Sequence, residues 1–336
     1  MKTLQRFAGH LPLLATGAIF IALFGAAGLS YDGFFSARVI VNLLADNAFL
    51  GIAAVGMTLV ILSGGIDLSV GAVIGFTSIF TATLVTGHGV HPLAAWGLAL
   101  LLGGAMGAAM GALIHVFRLP AFLITLAGMF LARGTGFWIT TESVGIAHPW
   151  YEKLANFDLA LGEAVHLPVA ALALLGAVAA GYGVAHHTRF GRTLFAIGGS
   201  EQSALLMGLP VRGAKIAVYT LNSLCAALAG ILATLYTGSG NPSMGIGLEL
   251  DAIAVVVVGG TLLVGGRGHM AGTLLGLLIL GTIQSAILFD GRLSSWWMRI
   301  VVGALLLVFI MLQRFLVRGA GRSGYGQRTP RFRGSA

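Results

Sequence analysis

Apolar segments alternate with short polar gaps along the whole chain, and many of the apolar segments are long enough to cross a membrane. The hydrocarbon core of a bilayer is about 30 Å thick, so a helix needs roughly 20 mostly apolar residues to cross it. Residues 11–29, 93–114, 167–185 and 216–236 meet that need without one ionisable side chain. The pattern therefore predicts an all-α polytopic membrane protein.

Ten membrane-spanning helices are expected in all. They cover approximately residues 11–29, 42–62, 70–86, 92–116, 121–140, 167–185, 216–237, 247–264, 270–289 and 296–313. The eighth is the weakest, because its uncharged part, Ala252 to Val264, has only 13 residues. A re-entrant segment is the alternative there. The first is predicted to be a retained anchor, because it is longer than the roughly 7 to 15 residues of a signal-peptide core.

The basic residues predict the orientation of these segments. If the N-terminus lies inside, 14 of the 19 Lys and Arg fall in inner gaps or the C-terminal tail, as the positive-inside rule requires. The longest outer loop, 141–166, instead carries four acidic residues and one lysine, Lys153. We therefore expect both termini in the cytoplasm.

Composition supports one membrane domain over residues 1–313, followed by a basic, disordered cytoplasmic tail at 314–336. Only 9% of the residues are charged, whereas a soluble chain carries about 25%. The net charge of +8 therefore indicates a membrane surface and no nucleic acid partner. Cys225 is the single cysteine and the nine histidines lack metal-ligand spacing, so no metal site is expected.

The gap between the second and third segments, Leu62–Gly71, reads LSGGIDLSVG. Its two glycines break the helix, and Asp67 is suited to cap the next one. One interpretation is a broken helix that lines a polar pathway, because non-helical backbone at membrane depth must be buried in protein or face water. The other is a tight cytoplasmic turn with Asp67 as its helix cap.

Arg133 lies in the middle of the fifth predicted helix. A charge near the bilayer centre costs at least roughly 2.5 to 3.5 kcal/mol, so it must face a partner or water. The acids available to it are Asp46, Asp67, Glu249 and Asp251. A structural ion pair and a substrate contact are both open interpretations.

Glycines form two further patterns. In the fourth segment, Gly103, Gly107 and Gly111 recur every fourth residue, which predicts a close helix–helix contact. A weak internal repeat places 52–75 on 253–276, with an Ile-Ala pair, a Gly-Gly pair and two later glycines in register. Such a repeat would suit a transporter, although a chain this rich in glycine can match itself by accident.

The loop 186–215 is the most informative polar segment. Gly198-Gly199-Ser200-Glu201 is predicted to open a short helix through Met207, with Ser200 as N-cap and Gly208-Leu209-Pro210 as the stop signal. We expect this helix to dock a cytoplasmic partner; an interfacial helix resting on lipid is the alternative. The proposed contact residues are Gly198, Gly199, Ser200, Glu201, Ala204, Leu205, Leu206, Met207, Gly208 and Pro210.

Five longer segments carry a resemblance to a known family. They are Ile61–Gly71 (ILSGGIDLSVG), Leu119–Arg133 (LPAFLITLAGMFLAR), Thr188–Gly199 (TRFGRTLFAIGG), Ala204–Val211 (ALLMGLPV) and Glu249–Gly268 (ELDAIAVVVVGGTLLVGGRG). Together they resemble the permease subunits of ABC importers for monosaccharides, the ribose, arabinose and galactofuranose group. Three more segments are most similar to a galactofuranose permease: Asp46–Met57, His148–Tyr151 and Asp290–Trp297.

The resemblance implies a ten-helix subunit that pairs with a second, homologous permease. It also implies a cytoplasmic ATP-binding subunit, which would hold ATP and Mg²⁺, and a periplasmic sugar-binding protein. The segment Gly198–Pro210 would be the coupling helix that receives the motion of the ATPase. The location implied by the resemblance is a bacterial inner membrane. Arg267 and His269 depart from the common pattern of the family.

The chain itself is not expected to hydrolyse ATP. A phosphate-binding loop needs Gly-x-x-x-x-Gly-Lys-Ser/Thr, and none of the three lysines, Lys2, Lys153 and Lys215, has that context. No cofactor is therefore assigned to this chain. An intramembrane enzyme would need a metal set or a nucleophile–base pair, and neither is found in the sequence.

The leading hypothesis is an ATP-driven importer of a monosaccharide, and an ion-coupled secondary sugar transporter is the alternative. Ion-coupled transporters usually carry ionisable relays within their helices, and the apolar segments here hold few such groups. A sugar pathway needs hydrogen-bonding side chains and aromatic faces. The candidate pathway residues are Asn47, Asp67, Thr125, Arg133, Trp138, Asn241 and Asp251.

Overall fold

The computed structural model describes residues 2–160, 165–292 and 296–322, and these form a helical protein. Its helices are α1 Lys2–Ser30, α2 Ala37–Asp46, α3 Ala48–Leu62, α4 Val70–Ala82, α5 Pro92–Val116, α6 Ala121–Ile139, α7 Pro149–Ala155, α8 Val169–Tyr182, α9 Arg189–Gly199, α10 Glu201–Leu206, α11 Val211–Thr237, α12 Leu248–Val258, α13 Met270–Asp290 and α14 Trp296–Arg322. Short π-helices, Thr83–Gly87 and Gly183–His187, extend α4 and α8.

The described residues also include four short strands, which lie between helices. β1 Val144–Gly145 pairs antiparallel with β4 Ser239–Gly240, and Val144 lies opposite Gly240. β2 Asp158–Ala160 pairs antiparallel with β3 His166–Pro168. The first pair joins the segment after α6 to the segment after α11.

Seven helices within the described residues are long and apolar enough to cross a membrane, and the bent pair α2 and α3 raises the number to eight. Two of the ten predicted spans are not among these eight. α12 has only 11 residues. In α14, the described side chains form a shorter apolar stretch, Trp296–Phe309. α14 continues to Arg322, into the segment predicted as a tail, and residues 323–336 lie outside the described residues.

The second predicted span is bent by 60° between α2 and α3. The bend falls at Asn47, whose side-chain amide donates a 3.0 Å hydrogen bond to the carbonyl of Leu43. A side chain that binds the preceding helical turn competes with regular helix geometry. The predicted span 42–62 therefore consists of two helices with a bend between them.

The eighth predicted span ends early, at Val258, because two glycines follow it. Gly260 has a φ of +90°, a conformation that glycine adopts without the steric cost of a Cβ atom. The chain then turns and re-enters a helix at Met270, where the ring Nδ1 of His269 accepts a 3.2 Å hydrogen bond from the amide of Ala271. The segment 247–264 is thus a short helix followed by a turn.

α11 lies at the centre of the bundle, in contact with α3, α4 and α5. The predicted glycine pattern on α5 makes its closest contact. A Cβ atom on Gly103 would lie 2.8 Å from Cβ of Ala227, one on Gly111 would lie 2.8 Å from Cα of Ile216, and one on Gly107 would overlap the carbonyl oxygen of Tyr219. The interpretation of this pattern as a packing surface is confirmed.

Candidate functional site

The polar loop 186–215 folds into two short helices. Its first part, from Arg189, is the helix α9, which the sequence analysis did not predict. Thr188 starts α9 by accepting a 3.0 Å hydrogen bond from the amide of Gly191. Gly198 and Gly199 are the last residues of α9. The prediction that they open the next helix is therefore wrong.

The predicted helix after Ser200 is present as α10. The Ser200 hydroxyl accepts a 3.2 Å hydrogen bond from the amide of Ser203, as an N-cap does. At the other end, Gly208 has a φ of +74°, and the amide of Leu209 donates to the carbonyl of Ala204 at 3.1 Å. This arrangement closes the helix by satisfying its last carbonyls. The predicted N-cap at Ser200 and the predicted stop at Gly208 are both confirmed.

α10 presents an apolar surface away from the protein. Leu206 is 85% exposed and Met207 is 65% exposed, and Leu205 lies beside them, while Ala204 faces the core. Pro210 lies after α10 and is the last residue before α11. Neighbouring exposed apolar side chains on a polar segment are typical of a docking surface.

An ion pair attaches α10 to the start of α11. Both carboxylate oxygens of Glu201 lie 2.7 Å from the ammonium group of Lys215. The pair borders a cleft of about 970 Å³. Arg118, Leu119 and Pro120 from the turn between α5 and α6 line the cleft together with Leu205 and Arg212. The apolar surface of α10 therefore continues into a basic cleft.

Asp67 is fully buried in the turn between α3 and α4. One carboxylate oxygen accepts hydrogen bonds from the amide and hydroxyl of Ser69, at 2.8 and 2.6 Å. The other accepts from the side-chain amide of Asn222 at 2.8 Å. Asp67 thus fastens the turn to α11 and is not the residue next to the helix, which is Ser69. Burial raises the pKa of the Asp67 carboxyl above its ordinary value, because it removes the charged form from water.

Arg133 binds backbone oxygens of the segment between α11 and α12. Its Nη1 donates to the carbonyls of Pro242 and Met244 at 2.6 and 2.7 Å. Among the described residues, no carboxylate lies within ion-pairing distance of it, so a direct ion pair, one of the two interpretations of the sequence, is not formed. Glu249 is the acid whose charge acts on it from farther away. These hydrogen bonds from the Arg133 guanidinium stabilise the non-helical segment that contains Pro242 and Met244.

Two glycines on α4 make room for that segment. A Cβ atom on Gly75 would lie 2.5 Å from Nη1 of Arg133 and 2.7 Å from the carbonyl oxygen of Met244. A Cβ atom on Gly71 would overlap the carbonyl of Gly245 and the carboxylate of Glu249. The face of α4 that carries the two glycines thus holds Arg133, Glu249 and the segment 242–245 together.

The other candidate pathway residues are dispersed. Asn47 forms the bend between α2 and α3, and Thr125 is buried with its hydroxyl 2.9 Å from the carbonyl of Ala121. Trp138 is 85% exposed on α6. Asn241 bonds Ser78 through its backbone, and Asp251 interacts electrostatically with Arg299. Within the part of the chain that the structure describes, none of the seven lines the cleft beside α10 or the cleft between α5 and α6.

The sequence patterns did not indicate several residues that surround Asp67 and Arg133. Asn222 and Ser69 bind Asp67. Ser78 binds the backbone of Asn241, next to the segment that Arg133 binds. The adjacent polar pair Asn222-Ser223 inside an otherwise apolar span is the signal that would have indicated the partners of Asp67. The contacts of Arg133 could not be predicted in this way, because they are made to backbone carbonyls, which every residue carries.

A family model described as a branched-chain amino acid transport system permease component matches residues 39–310, which is most of the chain. The chain belongs to this permease family. Its matched region includes α10, the turn with Asp67 and the segment held by Arg133.

Relatives cover nearly the whole permease. It is 50% identical to the inner membrane ABC transporter permease protein YjfF of Escherichia coli strain K12, over 91% of this chain and 93% of that protein. It is 38% identical to the fructose import permease FruG of Bifidobacterium longum, over 93% of both chains. It is 39% identical to the ribose import permease RbsC of E. coli strain K12, over 83% of this chain and 86% of RbsC. No solved structure matches.

The permease is a multi-pass membrane protein and a transport component. Its relatives are permease subunits of ABC transporters, which lack an ATPase site of their own. The energy for transport must therefore reach it through a surface that another subunit contacts.

Proposed function

We propose that this permease is the membrane-spanning subunit of an ATP-driven importer for a monosaccharide. FruG and RbsC, which align with nearly its full length, import fructose and ribose according to their names. The single observation that carries the proposal is the exposed apolar surface of α10, formed by Leu205, Leu206 and Met207. This surface offers a contact to a separate subunit. Such a contact is needed because the permease receives its energy from another subunit.

The proposed partner at α10 is a cytoplasmic ATP-binding subunit, which would hold ATP and Mg²⁺. The contact would extend from Gly198 to Pro210, within the coupling loop 186–215. A second, homologous permease would complete the pathway, and a periplasmic binding protein would deliver the sugar to the side of the loop 141–166. These partners follow from the family and from the resemblance of the sequence motifs.

The proposal includes ten crossings with both termini in the cytoplasm of a bacterial inner membrane. Seven long helices and the bent pair account for eight of them. α12 together with the turn that follows it, and α14, would supply the other two. This count places Leu206 and the Arg-rich C-terminal end on the same side, as the distribution of Lys and Arg requires.

Galactofuranose is the proposed sugar. Its support is the similarity of Asp46–Met57, His148–Tyr151 and Asp290–Trp297 to a galactofuranose permease. Ribose and fructose, the sugars of two relatives, are the competitors. Trp138 is exposed on α6 and offers the aromatic face that a sugar ring needs, whereas Asn47, Asp67 and Thr125 are buried in this chain.

Uptake by proteoliposomes tests the proposal. The permease is reconstituted with its second permease, its ATPase subunit and its binding protein, and radiolabelled galactofuranose, ribose and fructose are compared. Uptake that requires both ATP and the binding protein is expected, with galactofuranose preferred. Uptake by the permease alone on a proton or sodium gradient would instead support the ion-coupled secondary transporter.

A further inference from the structure

Three backbone segments from distant parts of the chain meet beside α10. They are the end of α3, the last residues of α9 and the turn that follows α12. The amide of Gly266 in that turn donates a 3.0 Å hydrogen bond to the carbonyl of Leu62 at the end of α3. A Cβ atom on Gly265 would lie 2.6 Å from the amide nitrogen of Gly64. We call Leu62, Gly64, Gly198, Gly199, Gly265 and Gly266 the glycine junction.

Gly198 lies between the other two segments. A Cβ atom there would overlap both the carbonyl oxygen of Leu62 and the amide nitrogen of Gly266. A Cβ atom on Gly266 would in turn lie 2.7 Å from the amide nitrogen of Gly199. Backbone therefore touches backbone on both sides of Gly198, with no side chain between them.

The two turns at this junction lie in the two segments that the weak internal repeat aligns. Gly64 and Gly265 occupy equivalent positions of the segments 52–75 and 253–276. Both have positive φ, +79° and +84°, which strongly favours glycine. Each turn leads into a helical segment long enough to cross the membrane: α4 with its π-helical extension, Val70–Gly87, or α13. The junction thus joins the N-terminal sides of two such helices.

α10 begins at Glu201, only two residues after Gly199, and Ser200 is its N-cap. A displacement of α10 therefore reaches the junction with little chain in between. Long side chains absorb small displacements by changing rotamer, whereas backbone in direct contact must move together or separate. Packed interfaces of this kind have discrete arrangements and do not deform continuously.

We propose that Gly198 is a positioning residue for transport: it carries the displacement of α10 to both turns at once, so that α4 and α13 move in the same step. The inference rests on the proposed function, because it takes α10 as the contact with the ATPase. It adds the route by which that contact reaches the membrane helices. The close approach of three backbones at a residue without a side chain is the observation that carries it.

The first test compares Gly198→Ala with the matched control Gly183→Ala in the full reconstituted importer. Gly183 is also a helical glycine near α9, but a Cβ atom there meets nothing within 4 Å. For Gly198→Ala we expect the ratio of sugar imported to ATP hydrolysed to fall roughly tenfold, within the usual range of coupling between sites. For Gly183→Ala the ratio stays within about twofold of wild type, as is usual for substitutions without close contacts. A wild-type ratio for Gly198→Ala would overturn the inference.

A second test avoids the risk that Gly198→Ala does not assemble. Hydrogen exchange at the Gly266 amide is measured in the wild-type importer, without ATP and with ATP trapped by a hydrolysis-deficient ATPase subunit. We expect the exchange rate to change roughly tenfold or more between the two states. Equal rates would overturn the inference.

The two proposals fail in different ways. If the proposed function is wrong, the wild-type importer shows no ATP-dependent uptake. If only the junction inference is wrong, wild-type uptake depends on ATP, while Gly198→Ala behaves like Gly183→Ala or the Gly266 amide does not respond.

Discussion

The amide of Gly266 donates a 3.0 Å hydrogen bond to the carbonyl of Leu62 and so joins two helix breaks that lie far apart in sequence. One break separates α3 from α4, and the other separates α12 from α13. Because Gly198 touches both partners of this bond, the loop 186–215 is in contact with both breaks. The permease thus has a continuous path of backbone contacts from α10 to two membrane helices.

The contact between α5 and α11 predicts a large difference between two glycines of one helix. A Cβ atom on Gly107 overlaps the carbonyl oxygen of Tyr219, whereas one on Gly97 meets nothing within 4 Å. We expect Gly107→Ala to lower the free energy of unfolding by about 1–3 kcal/mol, as overpacking does. Gly97→Ala should raise it by up to about 1 kcal/mol, because alanine favours a helix. Thermal unfolding in detergent measures both, and equal midpoints would contradict the packing.

Arg133 predicts a structural defect when its hydrogen bonds are removed. Arg133→Gln leaves the carbonyls of Pro242 and Met244 without this donor, and an unpaired buried acceptor costs about 1–3 kcal/mol. The midpoint of thermal unfolding should fall. Arg38→Gln is the control, because Arg38 is exposed at the start of α2. A midpoint for Arg133→Gln equal to that of the control would show that these bonds do not stabilise the fold.

Asp67 predicts a pH dependence of stability with a definite sign. Burial raises the pKa of its carboxyl in the folded protein, so the folded state binds this proton more tightly than the unfolded state. The resulting stabilisation is fully present below the unfolded pKa and is lost as pH rises through the folded pKa. Asp67→Asn cannot titrate. The free energy of unfolding of wild type minus that of Asp67→Asn should therefore decrease as pH rises.

Urea or thermal unfolding in detergent over a pH series measures this difference. Asp32→Asn is the control, because Asp32 is exposed in the turn between α1 and α2, outside the turn that holds Asp67. A difference that grows with pH would contradict the assignment of Asp67 as a buried carboxyl governed by desolvation.

Sequence patterns predicted the helices that end at strong local signals. α5 has the predicted limits of 92 and 116, because Pro92 starts it and no break interrupts it. Ser200 and Gly208 similarly determined α10. The bend at Asn47 was not predicted, because it depends on a side chain that turns back to Leu43. The sequence shows the glycines at 64, 198 and 266. Their contact in the fold could not be predicted, because close approach of backbone segments that are distant in sequence leaves no periodic pattern.

The ion pair between Glu201 and Lys215 predicts a charge-swap result. Glu201→Lys and Lys215→Glu each place two like charges together and should displace α10, which lowers ATP-driven uptake. The double variant restores opposite charges and should recover part of the uptake. Stability should change by less than about 1 kcal/mol, since the pair is partly exposed. Uptake of the double variant equal to the product of the two single effects would show that the pair does not position α10.

Site-specific photo-crosslinking from position 206 tests the central claim most directly. A crosslinking amino acid replaces Leu206 in the complete importer, and the captured protein is identified by mass spectrometry. Leu288, which is also well exposed but lies near the end of α13, is the control position. The account predicts that position 206 captures a subunit with a Gly-x-x-x-x-Gly-Lys-Ser/Thr loop and that position 288 does not. Capture of that subunit from 288 and not from 206 would contradict it.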